Sequence, residues 1–389
     1  MRNRIFLIGC LTLGLLAGCA NDDAVSNDNS IALPLIPDDS DVKIQLSSGS
    51  GTRAAMNPDE NGAFETTDLG IFCLAKGFVT NTQLEQTITW NPGSSFAKYY
   101  RLLDNIEAKA VKGGEGSSTY TDIKFIEDGK EVIKYYPLSN WLTYQFYGYY
   151  PRTGTTISNG STKVLAEIPI TGKEDVIHGF TANEAPNAYS AKYFREESHI
   201  GETPEISFDH KLIQVQFKCI AGKIGGNVDE NAKNLIIKKL EIVDVPKSVT
   251  LAIASSDPDV ETGTLSITKN ATGIFSILDR NDAEFTPVQV SEELQEVGQG
   301  IMLPPLSITG ANGLKREYKV RITLAKKNED GSETLLDTYP DAVMKAENGF
   351  TKPGTLYNTI ITIYSPTEVA LRASLKPWVE DNDEHGIEY

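Results

Sequence analysis

The chain has 389 residues, 53 of them acidic against 36 basic, for a formal net charge of −17. A surface of that sign repels phosphate backbones, which argues against nucleic acid as a partner. With 40% hydrophobic and 23% charged residues the chain can bury cores for two domains of ordinary size, which excludes overall disorder.

The first element is an export signal. Arg2 and Arg4 precede an apolar run from Ile5 to Leu16 that is broken only by glycine, cysteine and threonine. The run is too short for a mature transmembrane helix and reads as a cleaved segment. It closes on Leu16-Ala17-Gly18-Cys19, a small-residue pair before cysteine, the pattern at which a lipoprotein peptidase cuts and leaves Cys19 as a diacylated N-terminus. An ordinary signal peptide with an incidental cysteine is the bland alternative. Two or three acyl chains on Cys19 give stable anchoring. No later apolar run reaches transmembrane length, so the lipid is the membrane attachment that the sequence predicts.

Residues 20 to about 41 are rich in Asn, Asp, Ser and Pro and suit a flexible tether. In Val42-Lys43-Ile44-Gln45-Leu46 apolar and polar residues alternate, which predicts a half-buried strand. Ser47 to Ala55 is a Gly/Ser loop bearing the single Arg53 before Ala54 and Ala55, an exposed place where a protease can enter. A lone strand separated from the body by one arginine-bearing loop is an odd design for a stand-alone domain.

Beyond it, alternating runs separated by Gly, Pro, Asn and Asp dominate. One apolar face is carried by Ile213, Val215, Phe217 and Cys219, another by Tyr318, Val320, Ile322 and Leu324, a third by Val369, Leu371, Ala373 and Leu375. An aromatic strand holds Trp141, Tyr144, Phe146 and Tyr149 and stops at Pro151. Lys98 to Lys112 is the best helical stretch, with Leu102, Leu103, Ile106 and Ala110 on one side. Many short strands with polar outer faces predict an all-β fold with minor α, built as β-sandwiches. The Pro- and Glu-containing stretch Ser198 to Glu205 places a boundary near residue 205. Four cysteines occur, but Cys10 leaves with the signal and Cys19 carries lipid. Cys73 and Cys219 lie in apolar runs and read as buried thiols, with a disulfide permitted by the compartment but not indicated by spacing.

Chemistry-bearing motifs are sparse. His178, His199, His210 and His385 stand far apart and make no metal spacing, so no metal is expected. No nucleophile elbow, phosphate loop or dinucleotide fingerprint is present. Asp279 to Glu284 approaches calcium-loop spacing but lacks the central glycine and closing glutamate, and Glu380 to Glu384 reads as a solvated acidic tail. The facing carboxylates of a glycoside hydrolase would meet only in space, so the sequence leaves that class open. No catalytic residue and no cofactor is assigned. Trp90, Tyr99 and Tyr100 near the Asn91-Pro92-Gly93 turn are candidates to stack on a sugar, with core packing the plainer role.

Taken together, the chain resembles the fimbrillin family, lipoprotein precursors of type V pili on Gram-negative anaerobes. The resemblance rests on Leu16 to Cys19, the strand and loop ending at Thr52-Arg53-Ala54, Asp68 to Phe72, the strand Trp141 to Pro151, Ile206 to Leu212, and Tyr357 to Trp378. It implies two transthyretin-like β-sandwich domains in tandem. Residues 1–18 would be the signal, 19–53 a lipidated leader with its first strand, 54–205 the N-terminal domain and 206–389 the C-terminal one. It further implies passage to the outer membrane through the lipid on Cys19, and cleavage between Arg53 and Ala54 by an arginine-specific surface protease. The groove vacated by Val42, Ile44 and Leu46 would then take a strand from the next subunit, giving head-to-tail growth and a structural rather than enzymatic role. The acidic tail after Trp378 departs from an apolar donor, so Glu368 to Trp378, with Val369, Leu371, Ala373 and Leu375, is the candidate donor strand, or else the subunit is terminal. The alternative reading is a pilus tip or surface lipoprotein that binds a glycan or host ligand.

Overall fold

The computed structural model describes residues 41–48, 66–80, 83–112, 121–138, 142–182, 188–228, 230–269, 271–279, 286–308, 317–338, 341–346 and 349–377. Among the described residues strands occupy 58% and helices 6%, so the fold is all-β with minor α, as the alternating runs predict. Among the described residues, no helix is long and apolar enough to cross a membrane.

The N-terminal half contributes β1 (Leu46–Ser48), β2 (Thr66–Thr80), β3 (Gln83–Thr87), β4 (Arg101–Lys112), β5 (Thr121–Glu127), β6 (Lys130–Val132), β7 (Leu142–Tyr150), β8 (Thr156–Asn159), β9 (Lys163–Pro169), β10 (Ile177–Thr181) and β11 (Glu205–His210). Seven of them form a ring. β1, β11, β10, β7, β2, β4 and β5 are hydrogen-bonded in that order, and β5 pairs back onto β1. The ring encloses Ile71, Ile106, Ile123, Phe146, Ile206 and their neighbours, all part of one continuous core. β10 and β11 approach so closely at Gly179 that a Cβ there would lie 2.2 Å from the Ser207 carbonyl oxygen. Only glycine fits that position.

The C-terminal half contributes β12 (Ile213–Ala221), β13 (Lys223–Ile224), β14 (Asn227–Val228), β15 (Leu235–Pro246), β16 (Ser248–Ser255), β17 (Leu265–Ser266), β18 (Thr272–Asp279), β19 (Val288–Gln289), β20 (Gln295–Leu303), β21 (Lys319–Lys327), β22 (Glu333–Thr338), β23 (Ala342–Val343), β24 (Thr355–Ser365) and β25 (Glu368–Pro377). One sheet runs β20-β12-β24-β25 and a second β18-β15-β21-β22. The predicted alternations hold here. Ile213, Val215, Phe217 and Cys219 are buried, as are Tyr318, Val320, Ile322 and Leu324, while the residues between them are only partly covered. Among the described residues three pairings cross residue 205: β11 joins both β1 and β10 in the ring of the first half, and β9 pairs with β16, which brings the hairpin β8–β9 into a four-stranded sheet with β16 and β17.

Two expectations need correction. The stretch Lys98 to Lys112 is not a helix: a single turn, Ala97–Tyr100, gives way to strand β4. Its helix-like spacing comes from a bulge. Between the pairs Cys73↔Leu103 and Ile71↔Ile106, β4 advances three residues while β2 advances two, and Asn105 takes φ 54°. The inward parity therefore shifts from Leu103 to Ile106, Ala108 and Ala110. The bulge is held in place by the Tyr149 hydroxyl, which donates to Asn105 Oδ1 at 2.8 Å. The second correction concerns Ser47 and Ser48. They are strand rather than loop, both buried within β1.

Candidate functional site

The segment 42–48 is built into the ring on both flanks. Its β-branched and apolar residues alternate with the exposed Lys43 and Gln45, so Ile44 and Leu46 turn into the core, at 5% and 3% exposure, and Val42 packs against its margin. Upstream, the Tyr136 N–H donates to the Val42 carbonyl at 3.0 Å and the Ile44 N–H to the Lys134 carbonyl at 2.8 Å, around an antiparallel bridge between Lys43 and Tyr135. Downstream, β1 lies antiparallel to β5, with Leu46 opposite Ile123, and parallel to β11, with Ser48 opposite Ile206. The Ser47 N–H donates to the Pro204 carbonyl at 3.0 Å. The inward set thus extends past Leu46 to Ser48, whose buried hydroxyl has no hydrogen-bond partner among the described residues. At the segment's start the Arg195 guanidinium pairs with Asp41 at 2.6 Å and holds its carboxyl below the usual carboxylate range.

The candidate donor residues lie on β25, the terminal strand of its sheet. It pairs antiparallel with β24 over its whole length, placing Val369 opposite Ile363, Leu371 opposite Ile361, Ala373 opposite Thr359 and Leu375 opposite Tyr357. Val369 and Leu371 are partly buried against the core. Within one chain, β1 and β25 belong to different sheets and are not brought together. Cys19, Arg53, Ala54 and residues 378–389 lie outside the described residues.

The remaining candidates resolve into structure. Trp90 is buried and donates its indole N–H to the Ala75 carbonyl at 2.9 Å, so it offers no stacking face to a sugar. Tyr99 and Tyr100 pack against the core. Cys73 and Cys219 are free and buried, and burial pushes both thiols up, Cys219 to about 12. His210 Nδ1 meets the buried Asp175 carboxylate, whose pKa is raised by burial against the pull of His210. His199 stacks on Tyr193 with ring centroids 3.8 Å apart. Among the described residues no group of His, Cys, Asp and Glu converges to hold a metal ion. Sequence reasoning missed Ser48 and the flanking partners Lys134, Tyr136 and Pro204. The period of two running on from Leu46 to Ser48 was the available signal for the first.

A model of the family described as fimbrillin-like matches residues 52–378. The chain belongs to the fimbrillin-like family. That family comprises pilus-related cell-surface proteins and is not an enzyme family. Among solved structures, this fimbrillin-like chain is similar to a protein from Bacteroides uniformis named for cell adhesion, at 14% identity and a TM-score of 0.45, over 88% of this chain and 100% of that one. It is also similar to the C-terminally truncated tip fimbrial protein of Porphyromonas gingivalis, at 9% identity and a TM-score of 0.32, over 87% and 99% of the two chains. The fimbrial anchor protein of the same organism matches at 8% identity and a TM-score of 0.28, over 85% and 97%. No curated protein matches the sequence.

Proposed function

We propose that this chain is the precursor of a type V pilus subunit, exported as an outer-membrane lipoprotein acylated on Cys19 and activated by cleavage after Arg53. The observation that carries the reading is the seat of segment 42–48. It is paired on both flanks and contributes Ile44 and Leu46 to the core, and its covalent link to the strands that follow runs through residues 49–65, which include Arg53. Loss of the leader strand would uncover backbone donors and acceptors on β5 and β11 together with an apolar slot. Burying Ile44 and Leu46 contributes about 1.5–3 kcal/mol each, so the open slot strongly favours refilling. A strand from another subunit supplies both hydrogen bonds and side chains. Because slot and donor lie on different parts of the molecule, the contact is heterologous and extends into a filament rather than closing as a dimer. Ile133 and Tyr135, exposed beside the leader's partners Lys134 and Tyr136, give the slot an apolar rim.

The donor in this proposal is β25. In its sequence the order Val369, Leu371, Ala373 repeats the large, large, small order of Ile44, Leu46, Ser48. The partners are then other copies or related pilus subunits, with an arginine-specific protease as the trigger. The test is limited digestion of the soluble precursor with such a protease, followed by N-terminal sequencing and size analysis. A single cut that yields Ala54 at the new terminus, with ladders or filaments appearing, is expected. Resistance at Arg53, or a stable monomer after the cut, overturns the strand-exchange reading. An Arg53→Ala variant should remain uncut and monomeric.

A further inference from the structure

The leader strand fits its slot imperfectly at two adjacent positions. Ser48 is 1% exposed and faces the core, yet its hydroxyl has no hydrogen-bond partner among the described residues. A buried hydroxyl left unpaired is costly, so a side chain without one suits the place better. Ser47 lies on the other face of β1, level with Asp122 of β5 on one flank and Glu205 of β11 on the other. Asp122 is paired with Lys124 at 3.1 Å. Glu205 is exposed, and among the described residues its carboxylate makes no hydrogen bond or ion pair. A serine between the two brings Glu205 no charge.

Strand β25 can present its apolar face to the slot only in registers that differ by two residues. With Val369, Leu371 and Ala373 at the places of Ile44, Leu46 and Ser48, the small residue falls where the small one was. The neighbouring registers put Leu375 or Leu371 at the place of Ser48. Either would force a leucine into the seat of a serine, and overpacking of that kind is destabilising. In the register that size selects, the place of Ser47 is taken by Arg372; the other two put Ser374 or Ala370 there. Size on the inner face and charge on the outer one therefore choose the same register.

Resting on the strand exchange already proposed, we infer that the slot is keyed to β25 of a second copy of this chain, with Arg372 as the residue that sets register and partner. Neighbouring strands lie about 4.8 Å apart, so an arginine at the place of Ser47 has both carboxylates within reach, and its forked guanidinium can serve one on each side. Lys124 already holds Asp122, which leaves Glu205 as the principal partner. Ala373 at the same time removes the stranded hydroxyl of Ser48. The leader is thus the poorer occupant at both positions, and the difference favours its replacement.

The test is calorimetric titration of the full chain, cut at Arg53 and freed of its leader, with a synthetic peptide spanning residues 366–377. The peptide is used in the native sequence, with Arg372→Glu and with Ala373→Leu. Saturable binding of the native peptide is expected. Arg372→Glu turns attractive cross-strand pairing into repulsion on both flanks and should weaken binding about tenfold or more. Ala373→Leu should weaken it to a similar degree by overfilling the seat. In a Glu205→Lys chain the charge preference should reverse, the Arg372→Glu peptide binding more tightly than the native one. Glu205 is exposed, so its replacement leaves the fold intact. Equal binding of the native and Arg372→Glu peptides, or a preference that Glu205→Lys leaves unchanged, overturns the keyed register while strand exchange stands. Binding by none of the peptides, or a leader that stays seated after the cut, overturns strand exchange and the keyed register together.

Discussion

Leu46 gives the sharpest handle on the leader strand. It is 3% exposed at the seam of the ring, between β5 and β11. A buried leucine cut back to alanine costs about 2–5 kcal/mol, the spread reflecting how far the site collapses. The seam is braced on both flanks by backbone pairing and collapses little, so a cost of about 3 kcal/mol is expected for Leu46→Ala in the intact chain. At a urea dependence of roughly 2 kcal/mol per molar, that lowers the unfolding midpoint by about 1.5 M. Tryptophan fluorescence reads it, since Trp90 is buried in the same core. The measurement is then repeated after cleavage at Arg53 and separation of the leader. Wild type and variant are identical from Ala54 onward, so their curves should coincide. An unchanged midpoint in the intact chain refutes the role assigned to Leu46. A difference that survives the cut shows that the severed leader is still seated and refutes its release.

Three further outcomes follow from packing and charge. Gly179→Ala drives a methyl into the Ser207 carbonyl between β10 and β11, and overpacking of that kind lowers stability by about 1–3 kcal/mol in the same urea assay. For His178 the folded pKa lies near 3, below that of an unfolded histidine. The unfolded chain therefore binds the extra proton between the two values, and stability should fall as pH drops from about 6.5 toward 3; His178→Gln, which keeps a donor for Ile253, should flatten that part of the profile in thermal scans. Cys73 and Cys219 should resist alkylation in the folded chain at neutral pH and react together on unfolding, as followed by mass spectrometry.

Strands whose two faces see different environments were legible in the sequence. Ile213 to Cys219 and Tyr318 to Leu324 alternate because one face meets the core, and a period of two records that directly. The Lys98 to Lys112 stretch misled for a definite reason: the bulge at Asn105 inserts one residue, and two parities spliced at that point mimic a turn of helix. The leader's apolar set was legible in Val42, Ile44 and Leu46, but its partners were not. Pro204 and Glu205 lie more than 150 positions away, and no local pattern records which strands meet across such distances. The same holds for β9 against β16.

The ring is sealed by a strand that runs with one neighbour and against the other. Parallel and antiparallel ladders space their donors and acceptors differently, evenly and aslant in the first, in alternating close and wide pairs in the second. A vacancy left by β1 therefore carries an arrow. A newcomer laid in backwards would meet β11 and β5 with both spacings exchanged, whatever its side chains. On the proposed exchange, every junction along a filament repeats that arrow, so the two ends of the fibre are chemically unlike, one offering an empty slot and the other a strand. Which end grows and which stays at the cell would then be fixed by main-chain geometry inside a single subunit, before any partner is chosen.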